Sequence, residues 1–172
     1  MEFSECISCR KLKAQLECEA CEEAVCKNCS QILAKETFAF LEEIPEALSK
    51  TLYCNSCFDH VVAPELDEYQ ATVDRAKQVF VFFTTQRKEI PLIKRSKIVV
   101  SVKDLPDRNE AILRLGFQAA KHDYNAITEV SVLATKIRNG GYQTSSWSGS
   151  GIPANVDAEK MDRQDRLNEM YR

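Results

Sequence analysis

The sequence predicts an α+β protein with two domains, a zinc-stabilised finger followed by a compact strand-strand-helix-hairpin domain. All eight cysteines of the 172 residues lie between Cys6 and Cys57. An Asn-Gly-Gly turn at residues 139–141 lies between two runs rich in β-branched residues, which is typical of a β-hairpin. We predict a finger over residues 1–62, a helical linker over 63–77, an α+β domain over 78–156 and a charged tail over 157–172.

The cysteines form four Cys-x-x-Cys pairs, and each pair can supply half of a tetrahedral Cys₄ zinc site. The gaps between successive pairs are eight, four and twenty-four residues. Four residues are too few for the second and third pairs to wrap one ion, which favours an interleaved, cross-brace arrangement. We therefore assign one structural Zn²⁺ to Cys6, Cys9, Cys26 and Cys29, and a second to Cys18, Cys21, Cys54 and Cys57.

Other uses of the cysteines are less consistent with the sequence. Four disulfides would suit a secreted domain, but no apolar signal segment precedes the cysteines. A single iron–sulfur cluster would use only four of the eight thiolates. His60 follows Cys57 closely and is an alternative ligand, although we expect a surface histidine because the cysteine count is already complete.

The finger resembles the FYVE family of cross-brace zinc fingers. The resemblance covers about the first sixty residues and rests on the four pairs, on the gap Glu22-Glu23-Ala24-Val25 and on the ending Tyr53-Cys54-Asn55-Ser56-Cys57. RING fingers space their second and third ligand pairs more closely and usually include a histidine. B-box fingers share the first two gaps but finish in histidines.

The FYVE resemblance would imply binding of a phosphoinositide headgroup, but the basic residues of that family are missing here. Residues 14–17 and Glu19, which flank Cys18, offer no arginine or histidine, the single tryptophan is Trp147, and Leu52-Tyr53 precedes the last pair. None of these side chains can clamp a phosphate as a basic fork would. Membrane-surface binding through Arg10, Lys11 and Lys13 is kept as an alternative, and RING-like recruitment of the ubiquitin-ligase type as a weaker one.

Charge and hydropathy limit the classes of partner and the compartment. The net charge is −3, and acidic residues outnumber basic ones in the finger, so we expect the finger to repel nucleic acid. No apolar run reaches a membrane-spanning length. Free thiolates that hold zinc also indicate a reducing interior, so we expect a soluble, cytoplasmic protein.

The remaining elements are predicted from periodicity and turn signals. We expect helices at residues 31–43, 64–78 and 107–122, strands at 79–84 and 97–102, a loop at 86–91, and a hairpin formed by 126–137 and 142–152. The first helix should cover the finger, with Phe38 and Phe40 as alternative anchors for a partner. Beyond Pro153 we expect a solvated or partner-dependent tail. The densest basic cluster is Arg87, Lys88, Lys94, Arg95 and Lys97, which predicts a solvated loop face or a site for an acidic partner.

The second domain resembles the YbjQ family of small bacterial proteins, which are described as heavy-metal-binding. The motifs that carry this resemblance are residues 116–121 (GFQAAK), 125–130 (NAITEV) and 148–151 (SGSG), and it covers roughly residues 78–155. The resemblance implies a bacterial protein that forms a ring-like homo-oligomer through edge strands. It supplies no metal site, since this part lacks cysteine and His122 alone cannot form one.

These observations predict a non-enzymatic zinc-binding adaptor, with a finger that binds a protein partner and a second domain that self-associates. An enzyme needs a nucleophile, a base and a stabilising group that meet in space. Only two histidines are present, and a zinc ion saturated by four thiolates keeps no open position for water.

Overall fold

The computed structural model describes residues 4–86 and 89–162 and divides into two compact units. The first unit runs up to Ala71 and the second begins at Thr72. Both helices and strands are present, which fits the predicted α+β class.

The first unit is built from three small two-stranded antiparallel sheets and a helical segment. The sheets pair β1 (Ser4–Glu5) with β2 (Leu12–Ala14), β3 (Leu16–Glu17) with β4 (Ala24–Val25), and β5 (Ser30–Ile32) with β6 (Leu52–Cys54). A 3₁₀ turn lies at Glu46–Leu48. The helical segment begins directly after β6. It consists of helix α1 (Asn55–Cys57), a π-helical turn (Phe58–Val62) and helix α2 (Ala63–Ala76).

The predicted helix over residues 31–43 is wrong. Ile32 ends β5 and pairs with Leu52, and residues 35–40 form successive turns rather than a helix. The cause is tertiary, because β5 follows Cys29 directly and pairs with β6, which ends at Cys54. Phe38 is 2% exposed and cannot act as a surface anchor.

Helix α2 matches the predicted helix over residues 64–78 within two residues. Its N-terminal half packs on the core of the first unit, where the Tyr69 and Phe38 rings make an edge contact with centroids 5.1 Å apart. The division between the two units falls within this helix.

In the described residues, the second unit is a five-stranded sheet with a fourteen-residue helix packed on it. Its strands are β7 (Phe80–Phe83), β8 (Leu92–Arg95), β9 (Val100–Leu105), β10 (Ala126–Asn139) and β11 (Tyr142–Val156), and helix α3 (Arg108–Lys121) precedes β10. The sheet order is β7-β10-β11-β8, and β9 also pairs with β11. Only the β7–β10 pair is parallel.

Apolar side chains among the described residues of the second unit pack in clusters. Leu115 of α3 meets Ile127 and Val130 of β10 in one of them. In another, Phe82 and Met161 pack with residues of β10 and β11. Asp107 caps α3 by accepting a hydrogen bond from the Glu110 N–H at 2.8 Å, as the predicted helix start requires.

The strand boundaries differ from the predicted ones in three places. Strand β8 lies where no strand was predicted, because all four of its side chains are exposed and give no alternation of burial. Strand β9 covers Val100–Leu105 rather than residues 97–102, and β11 continues through Pro153 to Val156. The strand at 79–84, the helix at 107–122 and the hairpin are confirmed.

The predicted solvated tail is partly wrong. Residues 158–162 are helical, and Met161 is 4% exposed. Asp157 caps this helix by accepting a hydrogen bond from the Lys160 N–H at 3.1 Å. The rest of the tail, and Arg87 and Lys88 of the predicted basic cluster, lie outside the described residues.

Across the described residues, no helix has the length and apolar character needed to cross a membrane.

Candidate metal centre

The eight cysteines converge in two groups of four in the first unit. One group is Cys6, Cys9, Cys26 and Cys29, and the other is Cys18, Cys21, Cys54 and Cys57. Within each group, all four Sγ atoms lie within 4.8 Å of one another. These are the two sets assigned from the cysteine spacing, and the interleaved arrangement follows from the order of the pairs along the chain.

The sulfur–sulfur distances fit tetrahedral coordination of Zn²⁺. A tetrahedron with zinc–sulfur bonds of about 2.3 Å has sulfur–sulfur edges of about 3.8 Å. The Cys9 and Cys26 Sγ atoms are 3.8 Å apart, and the Cys21 and Cys54 Sγ atoms are 4.0 Å apart. A disulfide requires sulfurs at about 2.0 Å, and all eight cysteines are free thiols.

A tight turn after β1 shapes the first quartet. Cys6 and Cys9 lie in this turn, which closes when the Arg10 N–H donates to the Cys6 carbonyl at 2.8 Å. Arg10 has a φ of 59°, the left-handed conformation that such a turn demands. The Cys26 N–H donates to the Cys6 Sγ at 3.3 Å and connects the two halves of the quartet.

The second quartet repeats this construction. The Glu22 N–H donates to the Cys18 carbonyl at 2.8 Å, and Glu22 has a φ of 61°. The Cys54 N–H donates to the Cys18 Sγ at 3.2 Å, and the Cys57 N–H lies 3.5 Å from the Cys54 Sγ. In both quartets, the residue four positions after the first cysteine is therefore left-handed, and a later backbone N–H supports the first sulfur.

Sequence reasoning missed these two left-handed positions. Glycine is the residue that usually signals such a conformation, whereas Arg10 and Glu22 occupy it here. The only available signal was the repeated spacing of the cysteines.

Backbone donors and crowding push the cysteine pKa values in opposite directions. Backbone N–H groups, chiefly that of Cys9, lower the pKa of Cys6 to about 6. Burial acts to raise the pKa of Cys18, but backbone N–H groups outweigh it and bring the value to about 6. The adjacent Cys26 sulfur and burial raise the pKa of Cys29 to about 12, and burial raises that of Cys57 further.

This pattern indicates what the quartets need chemically. The pKa values of Cys6 and Cys26 in the first quartet and of Cys18 in the second are lowered, partly by hydrogen bonds from backbone N–H groups, while the raised pKa values of Cys29 and Cys57 show that further negative charge beside them is disfavoured. A divalent cation removes that conflict and allows four thiolates to share one site. The donor set and geometry therefore fit two Zn²⁺ ions held as structural Cys₄ sites.

The two quartets differ in exposure. Cys6 and Cys26 are buried in the first quartet, and Cys18 and Cys54 are buried in the second. Cys21 is exposed, whereas the outer sulfurs of the first quartet, those of Cys9 and Cys29, are only partly exposed. The second site is therefore the more open one.

His60 takes no part in either quartet. Its ring Nδ1 lies 2.7 Å from the Ser56 carbonyl, and its side chain is exposed. The expectation that His60 is a surface residue is therefore confirmed.

Comparison with protein-family models, curated proteins and solved structures finds no match. The FYVE-like and YbjQ-like resemblances therefore stay predictions.

Proposed function

We propose that this chain is a non-enzymatic zinc-binding adaptor. In this proposal the finger recognises a protein partner and the second unit brings copies of the chain together. The observation that carries it is the complete use of all eight cysteines in two closed quartets with tetrahedral sulfur spacing.

A Cys₄ zinc site has a structural role, because the four cysteines fill every coordination position of the ion. Catalytic zinc sites keep a position for water or substrate, whereas four thiolates leave none. Two cysteines of each quartet, Cys6 and Cys26 in the first and Cys18 and Cys54 in the second, belong to the same core cluster as Phe38 and Tyr53. Bound zinc would therefore hold this small core together and fix the surface loops around it.

The surface of the finger offers apolar contacts to a protein partner. Leu12 and Ile32 are each 73% exposed, although both lie in short strands of a metal-braced unit. Such residues add little to the core, and exposed aliphatic side chains on a rigid surface are typical of contact sites.

The hairpin of the second unit supports the proposed self-association. Strand β7 pairs with β10 only up to Val130, and the pairing of β9 with β11 ends at Trp147. Beyond these points β10 and β11 pair only with each other among the described residues, so both edges of the ribbon are open. By alternation and register, Leu133 and Ile137 share one face, and they are 68% and 41% exposed.

Metal content and native mass of the full chain test the proposal together. We expect two zinc ions per chain by elemental analysis and a native mass that is a multiple of the chain mass, 19.5 kDa. The double substitution Leu133→Lys with Ile137→Lys should lower the native mass to that of a monomer. The same change at Leu12 and Ile32 is the matched control and should leave the mass unchanged.

Different failures of this experiment have different meanings. A chain that binds no zinc under reducing conditions contradicts the metal part of the proposal. A monomer at high concentration, with two zinc ions bound, contradicts only the self-association.

Binding of the finger to an anionic membrane surface is the second candidate. The observation that favours it is the position of exposed Leu12 between Lys11 and Lys13, with Arg10 adjacent, because an aliphatic tip flanked by cations suits a lipid headgroup layer. Co-sedimentation with phosphatidylserine vesicles tests it. Salt-sensitive binding that Lys11→Glu abolishes would support this candidate, and no sedimentation would reject it.

A further inference from the structure

One edge of the second unit's sheet is formed by two consecutive strands. Strands β8 and β9 both pair with β11, β8 opposite residues 154–156 and β9 opposite residues 147–151. No other strand pairs with either of them in residues 4–86 and 89–162. Residues 92–103 comprise β8, the bend at residues 96–99 and the first four residues of β9, and are here called the basic edge; Asp104 follows them in β9.

The charge of the basic edge has a single sign. Its twelve residues include Lys94, Arg95, Lys97 and Lys103 and no acidic residue. Arg95 is neutralised by Glu129, with an Nη2–Oε1 distance of 2.6 Å. No carboxylate in the described part of the chain lies within 4.0 Å of the other three ammonium groups. The edge therefore keeps three cationic side chains, of which the Lys94 Nζ lies 5.9 Å from the centroid of the Tyr124 ring.

Exposed aliphatic side chains lie beside these charges in the sequence. Ile93 and Ile98 are 71% exposed, and Val99 is 59% exposed. Val100 and Val102 instead pack against the core cluster around Leu115, so the exposed aliphatic side chains of the edge lie within residues 92–99.

Protection against aggregation explains the lysines of the basic edge but not its exposed isoleucine and valine side chains. Lysines on an edge strand prevent pairing with another copy of the same edge, because like charges would then face each other. Protection alone would favour polar residues between the lysines rather than isoleucine and valine. The combination discourages self-pairing but leaves the backbone groups and aliphatic side chains available to a strand of opposite charge.

We propose that the basic edge binds an extended acidic segment of a partner protein, which adds to the sheet as a further strand. Backbone hydrogen bonds to β8 and β9 provide the register. Carboxylates of the segment pair with Lys94, Lys97 and Lys103, and its apolar residues cover Ile93 and Ile98. The cysteine quartets take no part, so this surface is independent of the proposed metal sites.

A labelled peptide of about eight residues that alternates Glu and Val is a suitable probe, because it offers the required charge and strand propensity. Fluorescence anisotropy with the full, zinc-loaded chain should show saturable binding with half-saturation below about 100 µM. Binding should weaken as salt rises. Hydrogen exchange should show protection of backbone amides within residues 92–103, which a purely electrostatic contact would not produce.

A matched pair of charge-reversal variants locates the site. The triple variant Lys94→Glu, Lys97→Glu and Lys103→Glu should bind the peptide at least tenfold more weakly. The control is Lys35→Glu, Lys121→Glu and Lys136→Glu, which changes the net charge equally at exposed positions elsewhere. It should bind within about twofold of the original chain. Circular dichroism checks that both variants are folded.

Three results would overturn the proposal. One is the absence of peptide binding, and another is an equal loss of binding in both variants. The third is peptide binding without protection of residues 92–103. If the peptide does not bind but phosphatidylserine vesicles do, the first result assigns the edge to a membrane surface.

Discussion

The pairing of cysteines into quartets can be tested by changing one ligand at a time while both metal ions stay bound. Cys9 and Cys57 are partly exposed and Cys21 is exposed, so these sites have room for a larger imidazole ring. Cys→His substitution at any of them converts a four-sulfur site to three sulfurs and one nitrogen, a ligand set that zinc and cadmium also accept. The buried cysteines would not accept the ring without damage to the core.

The two quartets predict how many ¹¹³Cd resonances appear and which resonance each variant shifts. The cadmium-loaded chain should show two ¹¹³Cd resonances of equal intensity, one for each four-sulfur quartet. Cys21→His and Cys57→His should each shift the same resonance, and Cys9→His should shift the other. In the double variant of Cys21 and Cys57, one resonance should shift further while the second stays in place. In the double variant of Cys9 and Cys21, both should shift once.

Sequential pairing predicts a different pattern and would refute the reasoning. If the first and second cysteine pairs shared one ion, Cys9→His and Cys21→His would shift the same resonance and Cys57→His the other. Ser56→Ala is the matched control, because it changes a residue between two ligands and leaves all sulfurs in place. It should leave both resonances close to their original positions.

Three further results are expected. In Gly116→Ala the new methyl group would lie 2.9 Å from the Ala76 carbonyl oxygen. The cost of this overlap, about 1–3 kcal/mol, should exceed the gain of about 1 kcal/mol that alanine usually brings to a helix, so the variant should be less stable. Gly141→Ala is the control, because no atom lies within 4 Å of its new methyl group, and it should change the unfolding free energy little. A backbone hydrogen bond lowers the pKa of Asp157 below its ordinary 3.8, so its charge stabilises the fold above that pH and ceases to do so as pH falls through the lowered value. The stability difference between the original chain and Asp157→Asn, measured by urea denaturation, should therefore be largest near neutral pH and vanish in acid; a difference that grows in acid would contradict this sign. Chelation of zinc should unfold the first unit yet leave the fluorescence of Trp147, the single tryptophan, unchanged, and a parallel change in both would show that the second unit also depends on metal.

The sequence predicts best where one strong local constraint decides the structure. The four-residue gap between the second and third cysteine pairs favoured the interleaved grouping, and the structure brings those same sulfurs together. The turn at residues 139–141 likewise specifies the hairpin register, with Asn139 opposite Tyr142. The apolar periodicity predicted α3 almost to the residue.

Prediction failed where distant parts of the chain decide the local conformation. Residues 31–43 have helical periodicity, but Ile32 is drawn into a strand by its pairing with Leu52, twenty residues away. Strand β8 was not predicted at all, because pairing with β11 holds it in place and none of its side chains is buried. Neither pairing can be predicted from the sequence of the strand alone.

The two units draw on different sources of stability, and this difference bears on how the chain would work as an adaptor. In the first unit the strands are two or three residues long and cysteines form much of the core, so metal ligation must supply what the short strands do not. The second unit has strands of up to fifteen residues and a helix packed on the sheet, and its core contains no cysteine. Loss of zinc would therefore abolish the proposed partner surface of the finger while the hairpin and the basic edge persist. Metal supply would then regulate one binding function of the protein without changing the other.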